Sequence, residues 1–205
     1  MNVAMTTSVS SNIAELAMLT VPNKLQYCLR HGYHLVVDNR PYDGAVDTFA
    51  DTMLTLLDQY DLVWGLDCDA LITNMDVPIH TLPCIGPGMT VCPEGIVDWN
   101  LLNCGSVVWK SGSRSRYLLE RLRESRHEWI DMPCQQQTWF GNCVQSGAGD
   151  LITVAPLRSF NSTAWNYDDL FFKPGSHWQK GDLVYHPCGV FPHEERLRLI
   201  KEMLT

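Results

Sequence analysis

The feature that most limits what this chain can become is the alternation of short apolar runs with longer amphipathic ones over its first third. Residues 2–8 read as a strand ending in the polar turn Thr6-Thr7-Ser8. Ser10 or Ser11 is placed to cap a helix with Ile13, Leu16 and Leu19 on one face, Pro22 to start a second helix after a bend, and Gly32 to stop it in a left-handed turn. Residues 33–38 form the next strand candidate, and residues 39–44 a Pro- and Gly-containing loop. Residues 48–60 repeat Met53, Leu54, Leu56 and Leu57 at helical spacing, and residues 62–66 are an apolar strand flanked by acids. A β-α-β-α-β order implies parallel strands in a layered α/β domain, whose ligands bind beyond the carboxyl ends of the strands.

The remainder continues the pattern. Residues 78–95 are irregular and rich in Pro and Gly. Strands are expected at 88–92 and 105–109, a basic amphipathic helix over 113–125 and a short helix over 135–140. Further strands at 151–154 and 182–186 precede a charged terminal helix from Glu194. No repeat, low-complexity tract or linker divides the chain, so residues 1–205 read as a single domain. That length supports a core without metal or disulfide staples. The eight cysteines are irregularly spaced and form no C-x-x-C pair, which reads as free thiols in a reducing compartment. A net charge of −8 lacks the basic face that general nucleic-acid binding needs. The apolar runs are too short for a membrane span, and no charged segment leads into an apolar stretch at the start. The expectation is a soluble protein, cytoplasmic or encoded by a virus or phage.

The sharpest chemical feature is Asp67-Cys68-Asp69. Fifteen aspartates in 205 residues give about one D-x-D by chance, so the spacing alone carries little weight. Its position at the carboxyl end of an apolar strand carries more. Two carboxylates at i and i+2 repel unless a cation intervenes, and together they offer oxygen ligands to a hard divalent ion with positions left open for phosphate oxygens. A second apolar strand ends in His186, followed by Pro187-Cys188-Gly189. An imidazole added to two carboxylates suits manganese better than magnesium or calcium.

Ordered blocks along the chain carry a family resemblance. Residues 23–33 (NKLQYCLRHGY), residues 60–70 (YDLVWGLDCDA) and residues 102–106 (LNCGS) resemble the GT-A glycosyltransferases, in particular the galactosyl-, mannosyl- and xylosyltransferase group that includes the xyloglucan xylosyltransferases. The Gln135-Gln136-Gln137-Thr138-Trp139 block and the His186-x-x-Gly189 end are similar to the related retaining galactosyltransferases of the glycogenin-like group. The resemblance implies a Rossmann-like, nucleotide-diphospho-sugar transferase fold with a mostly parallel central sheet flanked by helices. It also implies metal-dependent transfer of a sugar from a nucleoside diphosphate donor, UDP favoured and GDP the alternative, to a glycan or other hydroxyl acceptor with retention of configuration.

Carried over residue by residue, the resemblance assigns manganese(II), with magnesium as the alternative, to Asp67, Asp69 and His186. It places Thr6, Thr7 and Ser8 at the nucleoside, with Asn39 as a further candidate. Asn103 and Gly105 lie beside the donor sugar, Gln136 faces its anomeric carbon, and Gly189 lets the backbone approach the phosphates. Asp69, Asn103 and Gln136 form the expected catalytic group. Two departures stand out. Gln135 is neutral where the related families carry an acid, and no Lys follows the H-x-x-G within a few residues, leaving Arg158 or Lys173 as candidate replacements. An inverting enzyme would need a base such as Glu94 or Asp98. A non-catalytic nucleotide-sugar or glycan binding module is the alternative function. Trp165 is a candidate sugar-stacking residue, Asn161-Ser162-Thr163 fits a glycosylation sequon but reads as a loop, and the basic run from Arg114 to Arg126 reads as a solvated helix face partnered by Glu120 and Glu124.

Overall fold

The computed structural model describes residues 1–40, 46–95, 102–164, 175–190 and 192–205. Trp165, Asp98 and Lys173 lie outside the described residues. A central sheet has the order β2-β1-β3-β6-β5-β7, built from β1 (Val3–Ser8), β2 (His34–Asp38), β3 (Leu62–Leu66), β5 (Met89–Pro93), β6 (Leu102–Lys110) and β7 (Ile152–Val154). Pairing is parallel except on both sides of β6, so five strands run one way and β6 runs against them. The mostly parallel sheet expected from the sequence is present. A second sheet of β4 (Leu71–Ile72), β9 (Val184–His186) and β8 (Ser162–Thr163) stands beside it.

Side chains alternate between the two faces of the central sheet, as the two-residue period of a strand requires. Val63, Val107 and Trp109 face α2 (Val46–Leu57), α3 (Ser113–Glu124), α4 (Arg126–Trp129) and α5 (Gln136–Gln145) in a core that includes Met53, Leu119, Leu122, Trp129 and Phe140. Trp64 and Val108 face the other way and pack with Tyr27, Cys28 and Phe160. The polar atoms on that face are satisfied: Trp64 Nε1 donates to Ser106 Oγ, and Ser106 Oγ donates to the Phe160 carbonyl, each at 2.9 Å.

The first helical segment differs from the sequence expectation. Residues 11–13 form a 3-10 turn with no side-chain cap from Ser10, and α1 (Ala14–His31) then runs unbroken, with Pro22 inside it. Pro22 lies on the exposed face, where water can serve the carbonyl that its missing N–H leaves without a helical donor. The buried face repeats Leu16, Thr20, Lys24, Tyr27 and Cys28 at helical spacing and holds the helix together across the proline. Gly32 ends it at φ 68°, as expected. The terminal helix α6 (His193–Leu204) buries Leu197 and Ile200 in a third cluster with Leu16, Cys68, Leu71 and Tyr185.

All eight cysteines are free thiols. Among the described residues no helix is long and apolar enough to cross a membrane. The basic helix α3 is a solvated face as expected, though its partners differ in part: Arg121 pairs with Glu124, whereas Arg116 and Arg123 pair with Asp58 and Asp51.

Burial separates chemically identical leucines. Leu119 is fully buried in α3 and Leu29 is 74% exposed on α1. In urea unfolding, Leu119→Ala is expected to cost about 2–5 kcal/mol through lost contacts and the cavity left behind. Leu29→Ala is expected to stay within about 0.5 kcal/mol of the parent.

Candidate active site

Because β6 is antiparallel to β3, its first residues lie among the carboxyl ends of the parallel strands. The pairing of β5 with β6 jumps from Val91↔Val107 to Cys92↔Asn103, so Cys104, Gly105 and Ser106 are released from β5 at this edge. The Asp67 backbone N–H donates to the Gly105 carbonyl at 2.7 Å, which ties the acidic turn to that released segment. From the other side, Lys24 Nζ, wholly buried in α1, donates to the carbonyls of Cys68 (3.2 Å) and Ala70 (2.6 Å), and Thr20 Oγ1 donates to that of Cys68. The turn is thus gripped from both faces. Burial lowers Lys24 to about 8, against the opposing pull of Asp69 and Asp67.

The second sheet delivers the imidazole. His186 ends β9, is 2% exposed, and places Nε2 3.2 Å from Asp69 Oδ1 and 3.8 Å from Asp67 Oδ2. One ligand atom from each of these three residues can be chosen so that all lie within 4.8 Å of one another. The ring is fixed by a chain of hydrogen bonds whose polarity can be read from its end. Gly105 N–H, an unambiguous donor, points at Asn103 Oδ1 (3.0 Å), so the Asn161 group 2.8 Å from that same oxygen is its NH2. Asn161 Oδ1 therefore faces His186 Nδ1 at 3.1 Å, Nδ1 carries the proton, and Nε2 is turned to the carboxylates. Asn103 Nδ2 in turn donates to Cys188 Sγ, and that thiol to Glu94 Oε1.

The close approach of β6 to this ring requires glycine. A Cβ at Gly105 would lie 2.0 Å from His186 Cε1 and 2.8 Å from Asp67 Oδ2. Gly189, three residues beyond His186, has φ 69°, a left-handed conformation that a side chain disfavours.

Electrostatics distinguishes the two acids. Burial alone would raise Asp69, but His186, Arg196 and Lys24 overcome it and hold the carboxyl at about 2. Asp67 is raised, first by withdrawal from bulk water and also by the Asp69 charge beside it, although a side chain 60% exposed limits that rise. His186 would be lowered by burial, yet the charge and hydrogen bond of Asp69, then Asp67 and Glu94, hold it above its ordinary value. Glu94 is raised by burial. Two carboxylates and an imidazole with its outer nitrogen satisfied fit a divalent cation, and Asp67, Asp69 and His186 form the candidate metal site.

A small open cleft begins beside Asp67 and is lined by Thr6, Thr7, Ser8, Thr52, Gly65 and Cys104, among others. Thr7 Oγ1 is buried there with no hydrogen-bond partner among the described residues. Asn39 is exposed beyond the end of β2 and is not in this lining. Its neighbour Asp38 instead pairs with Arg40 and accepts from Thr52, which does line the cleft. Gln136 is the first residue of α5, entered through Cys134 and Gln135 at φ 56° and 39°, a constrained approach for residues bearing side chains. Gln137 Oε1 accepts the Cys104 N–H at 2.8 Å and fastens α5 to β6.

The candidate replacement Arg158 is committed elsewhere, paired with Asp182 at 3.0 Å. The guanidinium that does reach the site is that of Arg196, on α6, 2.9 Å from Asp69 Oδ2. Sequence reasoning missed Arg196, Lys24 and Asn161. Asn161 is 5% exposed and its side chain is spent on Asn103 and His186, while Ser162 and Thr163 form β8, so the sequon is not a surface loop.

No protein-family model matches the sequence, and no curated protein matches it. Solved structures do. A glycosyltransferase involved in the glycosylation of the major capsid of PBCV-1 aligns over 100% of this chain and 99% of its own, with TM-score 0.74 and 17% identity. The galactosyltransferase LgtC, in complex with donor and acceptor sugar analogues, aligns over 98% of this chain and 96% of its own, with TM-score 0.59 and 14% identity. Mouse xyloside xylosyltransferase 1 aligns over 94% of this chain and 99% of its own, with TM-score 0.61 and 10% identity. The chain has the GT-A glycosyltransferase fold.

Two measurements test the metal site. Gly105→Ala is expected to fold but to push His186 out of place and weaken Mn2+ binding by at least about 100-fold in calorimetric titration. Metal must also displace the proton that Asp69 and Asp67 help His186 to keep. Mn2+ affinity should therefore rise about tenfold per pH unit below the raised His186 pKa and level off above it. An affinity unchanged between pH 5 and pH 8 would remove His186 from the ligand set.

Proposed function

We propose that this chain is a divalent-metal-dependent glycosyltransferase that moves a sugar from a nucleoside diphosphate donor to a hydroxyl acceptor with retention of configuration. The observation that carries the reading is the Asp67, Asp69 and His186 cluster at the edge of a hydroxyl-lined cleft in a GT-A fold. Manganese suits the mixed oxygen and nitrogen donors, with magnesium as the alternative. UDP is favoured over GDP, and the acceptor is a glycan or another hydroxyl compound. Such an ion, when bound, supplies Lewis-acid stabilisation of the charge that develops on the departing diphosphate.

The chain's own residues do the rest. Thr6, Thr7 and Ser8 receive the nucleoside, with the Thr7 hydroxyl gaining a partner that it lacks among the described residues; Asn39 is a weaker candidate. Asn103 and Gly105 border the donor sugar, and their hydrogen bond to each other keeps that wall fixed. Gln136 faces the anomeric carbon. With neutral Gln135 and Gln136 here, the block offers no carboxylate for a covalent intermediate, which favours front-side displacement in which the leaving phosphate accepts the acceptor's proton. Gly189 lets the turn after His186 come close to the diphosphate. The chemistry asks mainly for positioning and for fixed charge around the leaving group.

The test is incubation with Mn2+ and a panel of UDP- and GDP-sugars. At least one is expected to be hydrolysed slowly or transferred, and Asp69→Asn is expected to lower the rate by about 100-fold or more. No binding or turnover of any donor, with Asp69→Asn indistinguishable from the parent, would defeat the reading. Tight binding without sugar release under a broad acceptor panel would favour a binding module instead. NMR of the product's anomeric centre decides between retention and inversion.

A further inference from the structure

Arg196 is carried to the acidic turn by α6, which also packs on Cys68 within that turn. Leu197 and Ile200, on the same helix, are buried against Leu16, Leu71 and Tyr185 and fix the backbone from which the arginine extends. Its side chain is only 17% exposed, low for an arginine. Nη1 lies 2.9 Å from Asp69 Oδ2, and Nη2 donates at 3.1 Å to the carbonyl of Val190, the residue after Gly189. The guanidinium therefore joins the acidic turn to the turn that follows His186. Asp69 is divided between two partners: Oδ1 faces His186 Nε2, and Oδ2 faces the Arg196 guanidinium.

The charge balance of this corner changes with its occupants. Without metal, the fixed positive charge set against Asp69 is that of Arg196. A divalent cation between Asp67, Asp69 and His186 would take over that task and leave the guanidinium next to a strong positive charge. A diphosphate bound to such an ion would reverse the need, because it would bring negative oxygens to the same corner. A planar guanidinium fork matches phosphate geometry as well as it matches carboxylate.

We propose that Arg196 is a diphosphate-positioning residue that holds Asp69 before the donor arrives and transfers its charge to the donor's diphosphate once metal and nucleotide are in place. This rests on the nucleotide-sugar reading above and assigns the cation that neither Arg158 nor the segment after Gly189 supplies.

One substitution separates the binding of metal from the binding of nucleotide. In calorimetric titrations of Arg196→Gln, Mn2+ alone is expected to bind as tightly as in the parent or several-fold tighter, because a neighbouring cation is gone. UDP with saturating Mn2+ is expected to bind about 30-fold to 100-fold more weakly, and uridine, which has no phosphate, to bind as in the parent. Arg196→Lys should recover part of the UDP affinity, and melting curves of both variants monitor folding. Loss of Mn2+, UDP and uridine binding together would make Arg196 a scaffold residue and overturn the proposal, as would unchanged UDP binding. Should the parent chain bind neither UDP nor GDP in the presence of Mn2+, the nucleotide reading fails and this inference with it. That outcome is separable from the others because it is seen in the parent.

Discussion

The site depends on one close approach: the backbone of β6 at Gly105 against the ring of His186. A side chain at that position would have to displace the ring, because its first carbon would lie 2.0 Å from His186 Cε1 and 2.8 Å from Asp67 Oδ2. The same residue donates its N–H to Asn103 and accepts the N–H of Asp67. A single glycine thereby sets the separation between the two sheets, the height of the acidic turn and the orientation of the amide that begins the relay to His186.

That relay is a group of buried polar side chains, costly to place in a protein interior unless every member is satisfied. Asn103 and Asn161 meet the condition by pairing with each other, with backbone and with the imidazole. Lys24 meets it by binding the carbonyls of the acidic turn. The hydrophobic clusters around them could be built from many combinations of apolar residues. The polar members are more restricted, since replacing any one leaves its neighbour unpaired out of reach of water.

Much of this was legible in the sequence where the signal is local. The apolar run at 62–66 gave its strand to the residue, and the two acids after it, the His at the end of a later strand and the D-x-D, N-x-G and H-x-x-G blocks pointed to one edge of one sheet. Pro22 reads locally as a helix start, but the buried stripe of Leu16, Thr20, Lys24 and Tyr27 outweighs its cost inside the helix. At the end of β2, beside Asn39, the structure links Asp38, Arg40 and Thr52, a grouping that no local pattern announces. Arg196 and Lys24 carry no local mark at all. Each sits in an ordinary amphipathic helix, and only the packing of α6 and α1 against the acidic turn gives it a task. Asn161 was hidden differently, in a tripeptide whose familiar meaning is a surface one.

The reversed direction of β6 has a consequence for how the molecule assembles. It brings the start of one strand among the ends of others, so the candidate ligands are drawn from residues 67, 69 and 186 and their supports from residues 24, 103, 161 and 196. No contiguous fragment holds more than part of that set. Pairing across such distances along the chain belongs to the slow, late part of folding. A metal ion that needs all three ligands would therefore be recruited by the finished fold rather than guide its formation, and once held would stabilise both sheets and the terminal helix together.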